Sequence, residues 1–67
     1  MNNEPIAVYV AASTLSLQIF SITDEYVQVK WSNENIMHKV KTRIDSHGEP
    51  YFILRNHKHL ISEFIRV

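Results

Sequence analysis

Apolar and polar residues alternate with a period of two through most of this chain, the rhythm of β-strands, whose successive side chains leave on opposite faces. In Ile6-Ala7-Val8-Tyr9-Val10, the residues Ile6, Val8 and Val10 share one face, and Ala7 and Tyr9 share the other. Tyr26–Trp31 shows the pattern most cleanly, with Val27, Val29 and Trp31 on one side and Tyr26, Gln28 and Lys30 on the other. Leu15-Ser16-Leu17-Gln18-Ile19 also alternates, but then its phase slips, and Phe20 and Ile22 carry the apolar side. Two apolar neighbours inside an alternating run predict a bulge or sharp bend. In a very small barrel such a bend lets one strand serve two sheets. Ala11–Thr14 reads as a weak break, Thr23-Asp24-Glu25 as a turn, and Ser32-Asn33-Glu34-Asn35 as a polar loop.

Ile36–Ile44 admits two readings. As a strand it sends Ile36, His38, Val40, Thr42 and Ile44 inward and Met37, Lys39, Lys41 and Arg43 outward. As a helix it would group Ile36, Met37, Val40 and Ile44, with Asn33 or Asn35 as cap. Its β-branched residues and the turn that follows favour the strand. Asp45-Ser46-His47-Gly48-Glu49-Pro50 then spells a turn feeding an apolar run, Tyr51–Arg55. That run is expected to pair with His59–Ile61 across Asn56-His57-Lys58. Leu60, Ile61, Phe64 and Ile65 fall at helical spacing, with Ser62 as a plausible N-cap. A last helical turn over 62–66 is too short to stand alone and must be docked, with Leu60, Phe64 and Ile65 plugging the open end of the sheet.

Size limits how such a pattern can hold together. At 67 residues the chain is one domain, and it buries only about 60% of the surface its unfolded form exposes. It has no cysteine, so no disulfide can compensate, and no spacing spells a structural zinc site. Aromatic packing or a second subunit must make up the difference. The 45% hydrophobic content is too high for a disordered tail. Residues 1–5 read as a disordered arm ahead of a single β domain over 6–67. No apolar run approaches the roughly 18 residues of a membrane span, and Met1-Asn2-Asn3-Glu4-Pro5 lacks the basic start of a signal peptide. A cytoplasmic location is therefore expected.

Catalytic equipment is missing from the sequence. Without cysteine, and without a serine on a Gly-rich elbow, no activated nucleophile can be drawn. The single glycine cannot build a phosphate-cradling loop. Asp24 and Glu25 sit in a turn where nothing would separate their pKa values. The expectation is a protein that is not an enzyme and carries no cofactor. Four histidines are present, and His57-x-His59 places two imidazoles on one side of an extended segment, with His47 in the preceding turn. No carboxylate at strand spacing completes a ligand set, so no metal site is expected. His38 is expected to face the interior or a subunit contact with a hydrogen-bond partner.

Charge is balanced globally, seven basic residues against seven acidic, but not locally. Between Tyr26 and Ile44 stand Lys30, Lys39, Lys41 and Arg43 against the single acid Glu34. If 26–31 and 36–44 form a hairpin, one face carries those four cations interleaved with Tyr26, Gln28 and Met37. Lysines on phosphates and a tyrosine stacking on a base are the means by which small barrels hold nucleic acid. Such binders are usually basic overall, however, and a charged strand face is commonly just the solvent side of a two-faced sheet. The competing reading is protein interaction, with Tyr9, Phe20, Tyr26 and Met37 as an apolar outer patch and homodimer formation covering surface that the small chain cannot bury itself.

Gly48-Glu49-Pro50-Tyr51-Phe52, then Leu60, then Glu63-Phe64-Ile65-Arg66 resembles the end of small uncharacterised proteins encoded by phages and mobile elements of Gram-positive bacteria. That resemblance implies an accessory protein that binds and modulates a protein partner; it implies no activity and assigns no residue a role. The sequence therefore leads to an all-β domain, a small bent sheet or SH3-like barrel of five to six strands with a short C-terminal helical turn. Its expected function is non-catalytic interaction, inhibitory in effect, with nucleic-acid binding through the basic face as the alternative.

Overall fold

The computed structural model describes residues 4–67, so most of the N-terminal arm lies outside the described residues. Alternation becomes strand almost everywhere: β1 (Ala7–Ala12), β2 (Leu15–Ile22), β3 (Tyr26–Trp31), β4 (His38–Lys41), β5 (Arg43–Ile44), β6 (Pro50–Leu54), β7 (His57–Leu60) and β8 (Ile65–Arg66). A 3-10 turn, Ile61–Glu63, precedes β8. The strands form two antiparallel sheets, one in the order β4-β3-β2-β1-β8 and one in the order β5-β6-β7. The fold is all-β, as the alternation dictates. Two of the eight strands, β5 and β8, are two-residue pieces.

The two sheets bury their inner faces against each other, as half-apolar sheets must. Ala7, Leu17, Ile19, Val27 and Val29 come from the first sheet, Phe52 and Leu54 from the second, and Phe64 from the link to β8. No polar or charged side chain is buried among the described residues. Tyr9 faces inward and packs against this core, correcting its assignment to an outer patch. It meets Phe64 at 5.7 Å and His59 at 6.3 Å between ring centres, and His59 stacks on Phe52 at 5.3 Å. These ring contacts are aromatic packing of the kind expected of a short, cysteine-free chain.

The expected bulge is present: the β2–β3 register shifts between Ile19 and Ser21. The switch of sheets occurs elsewhere, at Thr42. β4 ends the first sheet at Lys41, and β5 opens the second at Arg43. Thr42 is held at this corner by two bonds, its N–H donating to the Glu25 carbonyl and its hydroxyl to the Thr23 carbonyl, both at 3.0 Å. Ile36–Ile44 is therefore neither one strand nor a helix. Ile36 and Ile44, expected inward, are 63% and 64% exposed, because the chain turns before their alternation can be extended.

Two turns are set by specific chemistry. Asp45 accepts from the His47 and Glu49 N–H groups at 2.8 and 2.9 Å and from Lys58 Nζ at 3.3 Å. These bonds, led by the one from Glu49, hold its carboxyl below the usual aspartate range. Gly48 completes the turn at φ +78°, where a glycine pays no steric penalty. The β6–β7 hairpin turns on Arg55 and Asn56, with φ of 51° and 66°, and not across residues 56–58. A two-residue turn with both φ values positive matches the twist of the flanking strands. His57 and Lys58 thus belong to β7. The helical turn is also shorter and earlier than 62–66: Phe64 is buried as expected, but Ile65 pairs with Val8 in β8 and is 68% exposed.

Candidate functional site

The face of the first sheet that turns away from the core is built row by row from the strand register. Ile65 of β8 lies opposite Val8, Val8 opposite Gln18, and Gln18 opposite Lys30. The next rows bring Ser21 opposite Gln28, Gln28 opposite Lys39, and Tyr26 opposite Lys41. Five of the seven residues the sequence marks as a binding face, Tyr26, Gln28, Lys30, Lys39 and Lys41, therefore share one surface. The other two depart from it. Met37 stands in the loop before β4 and is 44% exposed. Arg43 lies in β5 of the second sheet, opposite Tyr51, because the chain changes sheets at Thr42.

Within that surface the cations already occupy the rings. Lys39 Nζ sits 4.0 Å from the centre of the Tyr26 ring, and Lys30 Nζ 6.0 Å from that of Phe20, both within cation–π range. Lys30 is tied further, donating to the carbonyls of Glu34 at 2.9 Å and Trp31 at 3.3 Å. A nucleobase stacking on Tyr26 would have to displace an ammonium group. Lys41 and Arg43 form no ion pair among the described residues. The carboxylate of Glu34, the acid of this region, is already engaged by Arg55 at 2.7 Å and by His38 at 3.4 Å.

Toward the opposite edge the same face becomes aliphatic. Val8, Val10 and Ile65 project from β1 and β8, with Val10 63% exposed. Ile6 and Val67 adjoin them, linked by a bond from the Val67 N–H to the Ile6 carbonyl. The outer face is thus zoned, aliphatic at β1–β8 and cationic at β3–β4. The alternation groups Ile6, Val8 and Val10 on one face, but an outward Tyr9 would turn that face toward the core, and the structure reverses this. Ile65 is hidden in the sequence because its helical spacing with Leu60 and Ile61 suggests a different element.

The histidines go separate ways. His57 and His59 do lie on one side of β7, but His57 is exposed while His59 is half-buried against Phe52, Tyr9 and Phe64. Burial, reinforced by repulsion from His57 and partly opposed by Glu63, lowers the pKa of His59. His38 has the expected hydrogen-bond partner in Glu34. No group of three or more metal-ligating side chains occurs among the described residues, and no helix among them is long and apolar enough to cross a membrane. No protein-family model matches the chain, and comparison with curated proteins and with solved structures yields no match.

Proposed function

We propose that this chain is a non-catalytic interaction module on an SH3-like bent sheet, a cytoplasmic accessory protein of phage or mobile-element type. It binds and modulates a protein partner through the outer face of the five-stranded sheet, and it works as a homodimer. The observation that carries this reading is the zoning of that face. Large aliphatic side chains standing in solvent beside one another mark a contact surface more often than a bare exterior. An apolar core with a charged margin is the usual anatomy of such a contact. The lysine zone then fits a partner whose apolar ridge is flanked by carboxylates, since charge complementarity steers encounter and fixes register. Nucleic-acid binding through Lys39 and Lys41 remains the second reading, supported by the lack of an acid on those rows and weakened by the occupied Tyr26 ring.

The two readings separate by mutation. The tagged chain is used for affinity capture from the source cell after nuclease treatment, alongside a Val10→Asp/Ile65→Asp variant and a Lys39→Glu/Lys41→Glu variant. Proteins retained after nuclease and lost with the aliphatic variant are expected. Capture that vanishes with nuclease and with the lysine variant alone would transfer the function to nucleic acid.

A further inference from the structure

A groove of about 560 Å³ opens on the other side of the first sheet, between the ends of the two sheets. Its walls are aliphatic, Ile22, Ile44, Pro50 and Ile61, and two charged residues, Asp24 and Arg66, line it with them. The volume falls within the range of roughly 300–1,000 Å³ typical of ligand sites. Arg66 reaches it because its strand partner is Ala7, which points into the core, so Arg66 leaves the sheet on the core side at the margin. Asp24 stands in the β2–β3 turn, which Thr42 fastens to the corner between the sheets. Neither charge makes an ion pair among the described residues, with the other or with anything else.

We infer that this groove binds an extended peptide segment in which an aliphatic residue is flanked by a basic residue on one side and an acidic residue on the other. The aliphatic side chain enters between Ile22, Ile44 and Ile61, its ammonium or guanidinium neighbour meets Asp24, and its carboxylate neighbour meets Arg66. Charge complementarity selects this occupant. A purely apolar segment would leave both charges unanswered at the rim of a desolvated contact, and a singly charged one would leave one of them so. Ile44 contributes to the hydrophobic half of the site: it is 64% exposed and lines the groove. The inference is independent of the outer face, which lies across the sheet.

The test uses the full chain labelled with ¹⁵N and capped peptides Gly-Lys-Leu-Glu-Gly, Gly-Glu-Leu-Lys-Gly and Gly-Gln-Leu-Gln-Gly as probes. One of the two charged orders should produce saturable amide shifts at Ile22, Thr42, Ile44 and Ile61, and the neutral peptide should bind about ten-fold more weakly or worse, as expected for loss of charge-assisted contacts. Asp24→Asn and Arg66→Gln should each weaken the charged peptide while leaving the remaining spectrum folded. Equal binding of the neutral peptide, no saturation by any of the three, or shifts confined to Lys39 and Lys41 would overturn the proposal.

Discussion

Phe52 is the side chain through which the smaller sheet joins the larger, and replacing it measures how far the two are one cooperative unit. It is fully buried, stacks on His59, and contacts Phe64 at 5.8 Å between ring centres. Among the described residues, only Leu54 and Phe64 accompany it into the core from beyond the first sheet. Phe→Ala in a core costs about 3–5 kcal/mol, through lost transfer energy plus the cavity left behind. A chain of 67 residues has a total stability of about 3–10 kcal/mol at roughly 0.05–0.15 kcal/mol per residue. Phe52→Ala should therefore remove a third or more of the stability, and at the lower end should unfold the protein outright. Urea titration followed by Trp31 fluorescence is the assay, because Trp31 lies in the first sheet and packs against the shared core, so it reports whether the larger sheet unfolds with the smaller one. One transition, with a midpoint shifted strongly down and an unchanged slope, is the expected result. A shift worth less than about 1.5 kcal/mol, or a Trp31 transition untouched while the far-ultraviolet signal falls in two steps, would refute the single shared core.

Two further outcomes follow from local structure. His59 has a lowered pKa in the folded chain, so the unfolded chain binds its proton more tightly; the stabilisation from neutral His59 is complete above its ordinary value of 6.5 and is lost as the pH falls through the lowered one. His59→Leu should flatten the dependence of the urea midpoint on pH between about 5 and 7, and an unchanged slope would show that His59 is not the titrating group. Gly48→Ala places a side chain at φ +78° with nothing within 4 Å, so only backbone strain is added. Thermal unfolding should show a loss of about 1 kcal/mol, and Gly48→Asn should lose less because asparagine tolerates that region.

The alternation of Ala7–Ala12, Leu15–Ile22 and Tyr26–Trp31 determined by itself that this chain forms strands, which residues share a face, and where β2 must bulge; it did not determine which face of β1 is buried, since Ala7 and Tyr9 pack inward and Val10 stands in solvent. Period-two spacing is local information, and the bulge is legible because Ile19 and Phe20 are adjacent apolar residues. It also brought Tyr26, Gln28, Lys30, Lys39 and Lys41 to one face, since one hairpin needs only register. What the tertiary structure decided depends on where the backbone turns. Thr42 breaks one apparent strand into two sheets, removing Arg43 from the basic face and leaving Ile44 to a groove. Arg55 carries a left-handed conformation that its residue type does not announce, which moves the hairpin turn. Ile65 reads as helical until Val8 offers it an edge to pair with. Pairing partners distant in sequence supply those energies, so no window of neighbouring residues contains them.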